Sequence, residues 1–155
     1  MQIDNSMIYM KYLLTHEDTM MSRSRRKKNN IIIAKFLNWY ISDDKERIGA
    51  PGNYETKPVL DFDFHYNGDL LFELIERIQD LDIVLDFDIS KTECTIYINE
   101  FKFDDVKVGF NDESYYRYRI YKACVIFILH YFVYYGTDNQ KRFAEDYMDD
   151  FIYEE

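Results

Sequence analysis

Two short stretches of the chain alternate between apolar and acidic side chains. In "VLDFDFHY", Leu60, Phe62, Phe64 and Tyr66 take one parity and Asp61, Asp63 and His65 the other. That is the period of two expected of a strand with one buried face. "DIVLDFDI" repeats the device, with Ile83, Leu85, Phe87 and Ile89 opposite Asp86 and Asp88. "ECTIYI" then reads as a third strand, and "FKFDDVKVGF" as a fourth strand or a bulged pair. Strands so close in sequence pair most economically as an antiparallel meander.

Elsewhere the period lengthens to that of a helix. Ile32, Ile33, Phe36, Leu37 and Tyr40 predict a first core helix of about three turns. Leu71, Leu74, Ile75 and Ile78 make an i, i+3, i+4, i+7 stripe, and Asn67 or Asp69 is placed to cap it. Glu73 and Arg77 form an i, i+4 pair on its exposed side. "YYRYRIYKACVIFILHYFVYY" is apolar on nearly every side from Ile120 to Tyr134, so it predicts a central helix, capped by Asp112 or Ser114. In the tail, Phe143, Tyr147 and Phe151 lie four apart and allow an amphipathic helix. Met7, Met10, Lys11 and Leu14 allow a short one near the start.

Two stretches carry no such period. "SRSRRKKNN", Ser22–Asn30, is polar and basic and reads as a linker or arm. Ser42–Pro58, with Gly49, Pro51 and Gly52, reads as a long loop. The expected fold class is α/β (α+β): a mixed or antiparallel sheet of about four strands packed with three helices, in the order α-β-α-β-β-β-α, as a sandwich. The expected divisions are an N-terminal extension over 1–28, a sandwich domain over 29–136 and an acidic tail over 137–155.

Composition adds a partner class. Of 155 residues 47% are hydrophobic, enough for one core, and 18% are aromatic. The net charge is −10, unevenly spread: residues 1–28 hold six basic and three acidic groups, the rest 13 and 26. So acidic a domain repels nucleic acid phosphates, which argues against binding a long nucleic acid, and attracts basic protein surfaces or cations. Cys94 and Cys124 read as reduced, buried thiols of a cytosolic protein, with no secretion signal in front of them. "ACVIFILHYFVYYG" is too short to span a bilayer comfortably, so no membrane is expected.

The candidate chemistry is sparse. Asp61, Asp63 and His65, helped by Asp86 and Asp88 from a neighbouring strand, would suit Mg²⁺ or Mn²⁺ in a hydrolase. Read plainly, they are the wet side of two strands, and no cofactor or catalytic group is assigned. His130 and Cys124 sit on the apolar helix and read as packing, and "GAPGN" lacks the Lys and Ser/Thr of a phosphate loop. In "ESYYRYRIY", Tyr115, Tyr116, Tyr118 and Tyr121 with Arg117 and Arg119 combine contact area with charge, as interface anchors do. Asp146, Asp149 and Asp150 add acids in the tail.

"IAKFLNW", "FHYNGDLLFELIERI" and "RIYKACVIFILHYF" together resemble the phage ABA-sandwich family, small phage-encoded domains, over about residues 30–135. Gly68 stands where that family carries Trp, and the two termini are additions. The resemblance implies a viral gene and an α/β/α sandwich, and it transfers no site. The expected function is therefore a non-enzymatic phage accessory protein that binds a host or phage protein with a basic surface, as an inhibitor of host defence does. Its bets are Asp61, Asp63, Asp86, Asp88, the Tyr/Arg cluster and the tail acids. A virion component, a homo-oligomer and the metal-dependent hydrolase are the alternatives. The expected location is the infected host's cytoplasm or the virion.

Overall fold

The computed structural model describes residues 23–52, 55–64, 67–90, 92–101, 103–109 and 116–153. The described chain is a mixed α+β protein of four helices and two three-stranded antiparallel sheets. The helices are α1 (Arg23–Phe36), α2 (Gly68–Gln79), α3 (Tyr116–Tyr135) and α4 (Asp138–Tyr153). One sheet joins β1 (Tyr40–Ile41), β2 (Arg47–Gly49) and β3 (Lys57–Pro58), and the other β4 (Val84–Ile89), β5 (Glu93–Ile98) and β6 (Val106–Gly109). The strand count and the element order thus differ from those read in the sequence.

The basic run is not a linker: it forms the first turns of α1. Arg and Lys are good helix formers, and the two asparagines that follow are anchored inside the protein. Asn29 accepts a hydrogen bond from the Tyr147 hydroxyl of α4. Asn30 donates through Nδ2 to the Val59 and Phe62 carbonyls at 3.0 and 2.8 Å. The helix stops at Phe36 because Asn38 takes the left-handed conformation, φ 59°. Asn38 N–H bonds the Lys35 carbonyl and Trp39 N–H the Ala34 carbonyl, which is the Schellman pattern. Tyr40 consequently leaves the helix for β1, where it is exposed.

The segment read as a long loop contains β2 and β3, and β1 just before it completes the sheet, pairing Tyr40 with Gly49 and Arg47 with Pro58. Its tight turn is built from side chains. Ser42 Oγ donates to Asp44 Oδ1 at 2.6 Å, and the Glu46 amide donates to the same oxygen at 3.0 Å. These bonds, the Ser42 one first, hold the Asp44 carboxyl below its ordinary range.

The first acidic stretch is not a strand. Val59–Asp61 is a 3₁₀ turn, and Phe62 and Phe64 both pack against Trp39, one edge-on and one tilted, at 5.4 and 5.5 Å between ring centroids. Alternation was satisfied by aromatic packing on one side, while the Asn30 amide took the carbonyls that a strand ladder would have used. Asn67 then caps α2, accepting from the Asp69 and Leu70 amides at 3.0 and 3.3 Å. Leu71, Leu74 and Ile78 are buried as the stripe required.

The meander β4-β5-β6 is as expected, in register Phe87 to Ile96 to Val106. Phe87, Cys94, Ile96, Ile98, Val106 and Val108 are buried beneath α2 and α3. Helix α3 is the centre of the molecule. It touches α1, α2 and α4 as well as β5 and β6, and every residue from Ile120 to Leu129 is buried. Burying Phe127 completely stabilises the fold by about 2–3 kcal/mol. Helix α4 closes the far side through Ala144 and Tyr147. It begins with a reciprocal cap: Thr137 N–H donates to Gln140 Oε1 at 2.9 Å, and Gln140 N–H to Thr137 Oγ1 at 3.2 Å.

Candidate partner-binding surface

The site is built from strand parity and one irregularity. On β4, Asp86 and Asp88 are exposed, opposite in register to Tyr97 and Thr95, and Lys107 continues the row on β6. Lys107 Nζ lies 3.7 Å from the Glu93 carboxylate on the same face. Thr95, between Asp88 and Lys107, is buried, so the exposed acids belong to β4, an edge of the sheet. Asp88 also adds its charge to a thiol below: burial first, then Asp88, pushes Cys94 up to about 12.

Leu85 does not follow its parity. Between Val84 and Asp86 the register shifts, so two steps along β4 answer one along β5. That bulge turns Leu85 outward, where it is 66% exposed, while Phe87 stays in the core. Asp86 Oδ1 accepts the Phe87 amide at 2.8 Å, fixing the carboxylate at the irregularity.

The turn from β5 to β6 lies at the same end of the sheet. The Asn99 amide donates to the Ile83 carbonyl at 2.7 Å, and the Asp105 carboxylate accepts the Ile98 amide at 2.7 Å. Within this turn the two phenylalanines take opposite fates. Phe103 is buried against Phe127, His130, Tyr134 and Tyr135. Phe101 is 98% exposed. Glu100 links turn and helix, because it accepts the Phe101 amide at 2.9 Å and bonds the Tyr135 phenol. Partial loss of solvent and then the hydrogen bond to the Glu100 carboxylate raise that phenol to about 12.

The sequence candidates disperse. Asp61 is exposed on the 3₁₀ turn and Asp63 is exposed just after it, so they are not neighbours on a strand face; His65 lies outside the described residues. Among the described residues no group of three His, Cys, Asp or Glu is placed to hold a metal ion. Arg117 is exposed and Arg119 half-buried on the first turns of α3. Tyr121, read with them, is fully buried. Tyr115 and the side chains of Tyr116 and Tyr118 lie outside the described residues, as do those of Asp149 and Asp150 on α4. Asp146 is exposed on α4, beside a hollow lined by Lys28 and Lys45. Leu85, Phe101 and Tyr135 were not among the candidates.

Among the described residues no helix is long and apolar enough to cross a membrane. The chain matches no family model, no curated protein and no solved structure.

Proposed function

We propose that this chain is a non-enzymatic accessory protein that binds a partner protein with a basic surface, through the β4 edge and the β5–β6 turn. One observation carries the reading. Six large apolar side chains are exposed among the described residues, and four of them, Leu85, Tyr97, Phe101 and Tyr135, belong to this end of the molecule. Asp86, Glu100, Asp104 and Asp105 surround them in sequence and fold, and Asp88 extends the row. An apolar centre with a charged rim is the anatomy of a protein interface. Partners of such a patch carry an apolar pocket rimmed by Lys or Arg, and the net charge of −10 speeds their approach. The sequence resemblance to phage sandwich domains supports a phage-infected bacterium as the proposed setting, where occupying a basic groove is a means of inhibiting host defence.

The experiment is capture from a bacterial lysate on immobilised protein, at about 0.05 and 0.5 M salt. The expected result is a discrete protein, released at high salt and not retained by Phe101→Ser or Leu85→Ser variants of unchanged stability. The same capture by wild type and Phe101→Ser, or capture indifferent to salt, would falsify the reading.

A further inference from the structure

A second group of charges lies where α4 packs on α1. The Phe143 ring of α4 is half-buried there and carries two lysines. Lys35 Nζ lies 4.6 Å from the ring centroid and Lys45 Nζ 5.5 Å from it. An ammonium within about 6 Å of an aromatic centroid is attracted by the ring, but two such groups repel each other. The fold fixes both positions. Lys35 sits in the last turn of α1, half-buried. Lys45 is exposed on the turn before β2, in the left-handed conformation at φ 60°, and its N–H bonds the Ser42 carbonyl at 2.9 Å.

The carboxylates next to Lys45 in sequence are occupied elsewhere. Asp44 accepts from the Ser42 hydroxyl and the Glu46 amide, and Glu46 pairs with Lys27. Among the described residues neither Lys35 nor Lys45 has an ion-pair partner. The two amines therefore differ in condition. Lys45 keeps its water and its charge. Burial first, and then the Lys45 ammonium, holds the Lys35 amine below its ordinary range, so more of it is the neutral nucleophile. A lysine partly desolvated beside another cation is the arrangement that activates an amine toward carbonyl compounds. Beside the ring is a hollow of about 270 Å³, lined by Lys28, Lys45 and Phe143, with Asp146 as the acid on its wall.

We propose that Lys35 is a nucleophilic amine that condenses with a small aldehyde bearing an anionic group, and that Lys45 receives the anion. The neutral Lys35 nitrogen adds to the aldehyde carbon. The carbonyl oxygen leaves as water with both amine protons, and a C=N bond remains. Water reverses the step, so the adduct is a mode of binding. The site shares no residue with the partner-binding surface.

The test treats the full chain with pyridoxal phosphate or with pyridoxal, the same aldehyde without the phosphate. Borohydride then reduces each imine to a stable amine, and peptide mapping by mass spectrometry scores every lysine. Exposed Lys57 is the reference within each digest. With pyridoxal phosphate, Lys35 should be labelled faster than Lys57. The ratio of Lys35 to Lys57 labelling should be about tenfold higher with pyridoxal phosphate than with pyridoxal, because Lys45 concentrates the anion. Lys45→Gln, at an exposed position, should remove that tenfold preference. Labelling of Lys35 no faster than Lys57 would overturn the proposal. An equal ratio for the two aldehydes in the wild type, or a Lys45→Gln variant that keeps the preference, would do the same.

Discussion

Replacing Asn30 by Ala tests the correction that matters most for the site, the loss of the first acidic strand. Asn30 is wholly buried, and its amide nitrogen serves two carbonyls, Val59 at 3.0 Å and Phe62 at 2.8 Å. Both distances are those of good N–H···O bonds. Alanine leaves both acceptors without this donor. An unsatisfied buried acceptor costs about 1–3 kcal/mol. The Val59 carbonyl keeps the Phe62 amide at 3.3 Å and the Phe62 carbonyl is only partly buried, so each loss falls at the low end. The Tyr121 hydroxyl, 3.4 Å from Asn30 Oδ1, loses this acceptor for about 1 kcal/mol more. The expected loss is therefore about 3 kcal/mol, a large share of the 5–15 kcal/mol typical of a domain. The assay is urea unfolding followed by Trp39 fluorescence. Trp39 is the only tryptophan, and it packs on Phe62 and Phe64, so it reports the segment that Asn30 holds. The native emission of the variant should also shift to the red. Exposed Asn139 on α4 serves as the control, and Asn139→Ala should stay within about 0.5 kcal/mol of wild type. An Asn30→Ala variant no less stable than the Asn139→Ala control would refute the account of residues 59–64.

Two further predictions rest on the centre of the fold. Burial raises the Cys94 thiol from 9.0 to about 12 and the Cys124 thiol well above 9.0. The unfolded chain therefore loses these protons first, and stability should fall as pH rises from about 9 toward 12, by about 1.4 kcal/mol per pH unit for Cys94 alone. Urea unfolding across that range should show the decline, with a shallower one in Cys94→Ala; a pH-independent midpoint would contradict it. Gly136 joins α3 to α4, and a Cβ there would lie 2.5 Å from the Phe132 carbonyl oxygen. Gly136→Ala should therefore cost about 2 kcal/mol, and an unchanged thermal midpoint would show that the junction yields freely.

Legibility tracked the strength of the constraint. The stripe of α2, the central α3, the amphipathic tail and the meander were all readable, because each buries a face whose period admits one structure. The failures share a cause. Residues 22–30 looked like a linker because Asn29 and Asn30 are polar, yet each is buried with a specific partner more than 25 residues away in sequence. Hydropathy treats such a pair as solvent-loving; only the positions of Tyr147 and the Val59 carbonyl reveal otherwise. Residues 42–58 looked like a loop because the two strands there are three and two residues long, too short for any period to register.

The site was legible in charge and obscure in shape. Asp86 and Asp88 face outward as their parity required, and the proposed basic partner rests on the acidity of the chain. The groups a partner would grip are those that break the pattern. Leu85 has the parity of a core residue and is exposed because one extra residue in β4 shifts the register. Phe101 and Phe103 are two apart in an apparent strand, yet one is almost wholly exposed and the other buried, because the chain turns between β5 and β6. Period-two reasoning assigns both phenylalanines to one face, so it hides a difference of this kind. A bulge at a sheet edge disfavours pairing with another strand, and a charged edge does so again. Together they leave side-chain contact, with Leu85 and Phe101 at its centre, as the mode of association this edge favours over strand addition.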